Sequence, residues 1–216
     1  MRGLFIKDLA LLKMQKWFWF FMVFITVLIG KENPFAGVSY LTFMSAMILT
    51  NTIYSDEYAN GHAFLFTLPF TRQIYVRSKY LLSILGAGIA WTVSMIVAVV
   101  VQIQITPNEN SITILQIGSF ILMVVFTFIS IIIPIQLKYE QNKVFVILTC
   151  ISGLAAVIGF AIFKWIEIFG IDVTPLLQLL NSMDLSTMIL VVFMIVCVMM
   201  RISYVISCHV MKRKEF

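Results

Sequence analysis

The chain has 216 residues, of which 61% are hydrophobic and 12% charged, with a formal net charge of +5. A water-soluble fold is excluded by that balance. A bilayer core of about 30 Å takes about 20 apolar residues per helix, so the length allows six spans joined by short loops. It leaves little for a separate domain. The expected architecture is all-α, a single transmembrane domain over 1–216, and it offers no reason to expect nucleic-acid binding.

In chain order, residues 1–16 carry Phe5, Leu9 and Leu12 at helical spacing with Lys13 and Lys16 around them. This reads as an imperfect amphipathic helix lying along the inner leaflet. The first apolar run, 17–30, is short, and Phe35 and Ala36 allow it to be extended. Trp17 and Trp19 suit the headgroup level. Asp8 among the basic residues and the want of an A-x-A-like site argue against a cleaved leader. Further runs follow at 38–54, 80–103, 112–135, 144–163 and 188–207.

Charge fixes the orientation. Arg2, Lys7, Lys13 and Lys16 precede span one; Arg72, Arg77 and Lys79 separate spans two and three; Lys138 and Lys143 separate four and five. Arg201, Lys212, Arg213 and Lys214 end the chain. Thirteen of the fifteen Lys and Arg thus fall on one side, leaving Lys31 and Lys164 on the other. The acidic residues divide evenly, so the bias is basic rather than general, and both termini are expected in the cytoplasm. Arg201 lies inside the sixth apolar run near its cytoplasmic end, where it snorkels to the headgroups or else lines an inner vestibule or pairs with an acidic residue.

Between spans two and three, 55–79 forms the longest cytoplasmic loop. Leu68-Pro69 ends one short helix, because the residue before proline is pushed out of the helical region, and Thr71 offers an N-cap to the next. Phe64, Leu65, Phe66, Leu68 and Phe70 are too apolar for a loop in water, so it dips into the headgroups or docks into another protein. Outside, 164–187 holds Thr174-Pro175 followed by an apolar turn, read as a half-inserted hairpin.

Catalytic and metal readings are poor. Cys150, Cys197 and Cys208 lie in or beside apolar runs without C-x-x-C spacing, and His62 and His209 form no nucleophile–base or metal constellation. Asp56 and Glu57, adjacent on a helix, point about 100° apart, which suits a docking face better than shared acid–base chemistry. No cofactor site is expected. Small-residue faces, Ser83, Gly86, Ala87 and Ala90 in span three and Ser152, Ala155, Ala156 and Gly159 in span five, are expected to pack within the chain, with contact to a second copy as the other reading.

The opening GLFIKDLALLK, the loop DEYANGHAFLFTLPFTRQIYVRSKYL and the apolar external segment before the last span together resemble the permease subunits of ABC-2-type ATP-binding-cassette exporters. The likeness spans essentially the whole chain. Within that family it looks like the small bacterial permeases of the staphylococcal exporter for phenol-soluble modulins, which are amphipathic cytolytic peptides. The resemblance implies that 55–79 is a coupling elbow docking on an ATPase, with Asp56, Glu57, Gly61, Leu68, Pro69, Thr71, Arg72 and Lys79 as its carried-over positions. His62 stands where such loops often have an aromatic residue. It further implies a multi-pass protein of the cell membrane, a second permease as homodimer or heterodimer, and export of amphipathic peptides or other amphipathic compounds. The chain contains no G-x-x-x-x-G-K-[ST], so ATP would be bound by the partner subunit. A non-transporting immunity or assembly protein of the membrane is the competing reading.

Overall fold

The computed structural model describes residues 2–57, 71–105, 111–139, 141–169 and 185–213. Their regular structure is helical throughout: α1 (Arg2–Met14), α2 (Lys16–Glu32), α3 (Pro34–Glu57), α4 (Arg72–Ile105), α5 (Ser111–Lys138), α6 (Gln141–Phe169) and α7 (Leu185–Arg213). Helices α3 to α7 are each long and apolar enough to cross a membrane, and the bent pair α1–α2 supplies a sixth candidate span. The expected all-α, multi-span architecture is thus the one observed. Gly61, Leu68, Pro69 and most of the external hairpin lie outside the described residues.

Local sequence explains the boundaries. At Gln15 the backbone leaves helical geometry, with φ −94° and ψ 25°, and α1 meets α2 at 66°. Asn33 is extended, and its side-chain oxygen accepts hydrogen bonds from the amides of Phe35 at 3.0 Å and Ala36 at 3.3 Å. With Pro34 in the first helical position, this is a complete N-terminal cap. Phe35 and Ala36 therefore open α3 rather than lengthening the first span as the sequence suggested. Thr71 does cap α4: its Oγ1 accepts from the Ile74 amide at 3.4 Å.

Helices α3, α4, α5 and α7 share one core, in which Ile53, Val76, Ala87, Ile129, Ile133 and Met211 are essentially sealed from solvent. Small residues set the closest approaches. A Cβ on Gly37 would stand 3.1 Å from both Gly30 Cα and the Thr26 carbonyl, so α2 and α3 meet backbone to backbone there. Those atoms cannot rotate away. Gly37→Val is expected to cost about 1–3 kcal/mol through overpacking, read as a lower melting temperature in detergent, whereas Gly88→Val, which meets open space, leaves it unchanged.

The two small-residue faces differ. Ser83, Ala87 and Ala90 are buried, and Gly86 admits the Leu49 side chain of α3, as expected for packing within the chain. On α6, Val144 is buried and Leu148 meets the core, but Ser152, Gly153, Ala156 and Gly159 are all exposed. The intrachain expectation for that face is corrected. Near its start α6 meets the core through Val144 and Leu148, whereas this face has no cover among the described residues.

Polar groups bridge the apolar helices. Pro134 of α5 has no amide hydrogen, which leaves the Ser130 carbonyl, four residues back, without its helical donor. The Ser203 hydroxyl of α7 donates to that carbonyl. With its proton so committed, Ser203 accepts from Tyr80 of α4 at 2.6 Å, and Tyr80 in turn accepts from Ser207 at 2.8 Å. Three helices are thereby tied through one chain of hydroxyls, the kind of internal satisfaction a bilayer demands.

Candidate functional site

The strongest electrostatic feature sits where α1, the end of α3 and the start of α4 converge. Lys79 of α4 is fully buried, with 1% of its side chain accessible. Its ammonium lies 3.0 Å from each carboxylate oxygen of Asp8 on α1 and 2.8 Å from Asp56 Oδ2 on α3. It also donates to Thr52 Oγ1 at 3.2 Å. Thr52 can accept because its own proton goes to the Leu49 carbonyl at 2.7 Å.

Lys7, one residue before Asp8, closes the group by pairing with Asp56 Oδ1 and standing 3.6 Å from Asp8. The phenol of buried Tyr75 donates to Asp56 Oδ2 at 3.0 Å, and its ring lies 5.5 Å from the Lys79 ammonium. Two ammonium groups thus meet two carboxylates, and the cluster is neutral. A buried carboxylate without partners is expensive, so each charge holds the others in place. The amphipathic reading of α1 is modified accordingly: the face turned to the protein is Leu4 and Asp8, both buried, while Leu9 is exposed. Phe5, Leu9 and Leu12 instead border an apolar groove of about 440 Å³ with Trp19, Leu49 and Leu85.

A second anchor lies one step outward. The Arg72 guanidinium donates to the Met211 and Lys212 carbonyls, at 3.0 and 2.9 Å. These are carbonyls at the C-terminal end of α7, which a helix cannot satisfy itself and which favour a cation. Both roots of the elbow are therefore fixed: Asp56 and Lys79 bind to α1 and to each other, and Arg72 binds to α7.

The sequence-selected residues separate by geometry. Asp56 is 4% exposed and faces inward, so it has no surface to offer another chain; Glu57 and Arg72 are half-buried and Thr71 is exposed. Arg201 is exposed on α7 and makes no salt bridge among the described residues. It borders an open groove shared with Arg77. Sequence reading overlooked Asp8 and Lys7 as partners. The available signal was a carboxylate ending one span and a lone lysine opening the next, with a Lys-Asp pair on the preceding interfacial helix.

Among the described residues no group of three or more His, Cys, Asp or Glu could hold a metal. A family described as ABC-2 family transporter protein matches residues 3–212, nearly the full chain. The chain belongs to the ABC-2 transporter family. No curated protein and no solved structure matches it. As an ABC-2 family member it is a multi-pass membrane permease, the membrane subunit of an ABC transporter. In this ABC-2 permease the charged cluster joins α1 to the two helices that flank the 55–79 segment.

Proposed function

We propose that this permease is the membrane subunit of an ATP-driven exporter, that it receives motion from separate ATPase subunits at the 55–79 elbow, and that its cargo is amphipathic peptides or similar amphipathic compounds. The observation that carries the reading is the neutral four-charge cluster, which braces both elbow roots against α1. A loop that merely connects two spans has no need of such a brace. One that takes a push from a partner must pass it to α3 and α4 without bending, and buried, mutually dependent charges make that junction stiff.

In this reading Glu57, Gly61, Leu68, Pro69, Thr71 and Arg72 belong to the docking segment, and Asp56 and Lys79 position it. Both termini and the elbow lie in the cytoplasm, and 164–187 is the external hairpin of a single domain in the cell membrane. A second permease, identical or a sister chain, packs along α6, whose exposed Ser152, Gly153, Ala156 and Gly159 permit close helix approach. Grooves walled by apolar side chains suit an amphipathic cargo that enters from the inner leaflet.

Inside-out vesicles carrying the permease and its ATPase are expected to accumulate a fluorescent amphipathic helical peptide, with ATP required and vanadate inhibitory. Peptide binding that is indifferent to ATP would instead identify an immunity protein.

A further inference from the structure

Helices α4 and α7 run antiparallel, as Tyr80 bonding to Ser203 and Ser207 and Arg72 bonding to Met211 together require. Beside that seam lies an open groove of about 770 Å³, within the roughly 300–1,000 Å³ typical of sites for small ligands. Its composition is graded along its length. Arg77 and Arg201 both border it, beside Tyr204. Deeper along α7 the wall is apolar, through Val196 to Phe193, and Phe126 of α5 also lines the groove. Phe193 precedes Arg201 by eight helical residues, so the apolar stretch runs about 12 Å into the membrane.

Neither arginine forms a salt bridge among the described residues, and the two fully buried carboxylates at this end of the bundle, Asp8 and Asp56, are already occupied by Lys7 and Lys79. Among the described residues, two cations therefore border one apolar groove without a salt-bridge partner. That is the complement of an anionic headgroup joined to a hydrocarbon chain. Basic pockets between transmembrane helices select headgroups in this way.

We infer that the α4–α7 groove binds one anionic phospholipid from the leaflet on the charge-rich side, its phosphate between Arg77 and Arg201 and an acyl chain against Phe193 and Phe126. This site is separate from the elbow and stands whatever the cargo. Arg201, set inside an apolar run, is then a headgroup ligand, and Arg77 is its counterpart across the groove.

The test is native mass spectrometry of the purified permease after equilibration with equal amounts of dioleoyl phosphatidylglycerol and dioleoyl phosphatidylcholine. The parent is expected to retain phosphatidylglycerol preferentially, and Arg77→Gln or Arg201→Gln to lower that preference roughly five-fold each. Arg77→Gln with Arg201→Gln should abolish it, while Arg213→Gln keeps it. Cys197→Trp, which fills the groove from an exposed position, should reduce retention of both lipids. Millimolar inorganic phosphate should displace neither. Equal retention of the two lipids by the parent overturns the assignment, as does a preference that survives loss of both arginines. Displacement by free phosphate overturns it too, since the site would then recognise an anion and not a lipid.

Discussion

Lys79→Met is expected to be among the most damaging single substitutions in this chain, lowering its stability by about 3–5 kcal/mol. The size follows from what is left behind. Methionine fills a similar volume, but Asp8 loses both of its short contacts and keeps only Lys7 at 3.6 Å, while Asp56 keeps Lys7 and Tyr75. One carboxylate then sits almost fully buried beside too little positive charge. Asp8→Asn combined with Lys79→Met removes one charge of each sign and leaves Lys7 with Asp56, so it should recover more than half of the loss. Thermal unfolding in detergent, followed by tryptophan fluorescence, reads both. If the double variant is no more stable than Lys79→Met, the cluster does not depend on charge balance.

The second large effect concerns the partner. Glu57→Lys reverses charge at the last residue of α3, half-buried and next to the elbow, while Lys7, Asp8, Asp56 and Lys79 all remain in place. In an electrostatic docking contact a like-charge juxtaposition costs several kcal/mol, so ATPase recovered with the permease should fall at least about ten-fold. The charge-balanced Asp8→Asn, Lys79→Met variant should behave oppositely. It leaves the docking surface intact and so keeps the ATPase, but it weakens the brace, so hydrolysis should respond less to amphipathic peptide. The two variants thereby separate docking from transmission.

Much of the architecture was legible in the residues. Apolar runs long enough to cross a bilayer admit few alternatives, and five long apolar helices with a bent pair are what the fold shows. Thr71 announced the start of α4 because a hydroxyl before a helix has one obvious use. What escaped was long-range. Asp8 and Lys79 are 71 residues apart, and each alone reads as an ordinary interfacial charge; only the fold shows that both point inward. Asp56 was selected as a docking residue from its place in the loop pattern, yet its side chain serves the interior. The stripe of Phe5, Leu9 and Leu12 did not disclose which face of α1 meets the bundle. Apolar periodicity names the face that avoids water, and in a membrane that face need not be the one that meets protein. The exposure of α6 was equally hidden, since a span facing lipid or a second copy has the same composition as one inside the bundle.

The most direct test of the central claim is co-purification of the tagged permease from mild-detergent extracts of its native membranes, with Glu57→Lys alongside. The account predicts a P-loop ATPase with the parent and little or none with the variant, at equal recovery of the permease itself. No ATPase with the parent, or the same amount with both, would contradict an exporter driven through this elbow.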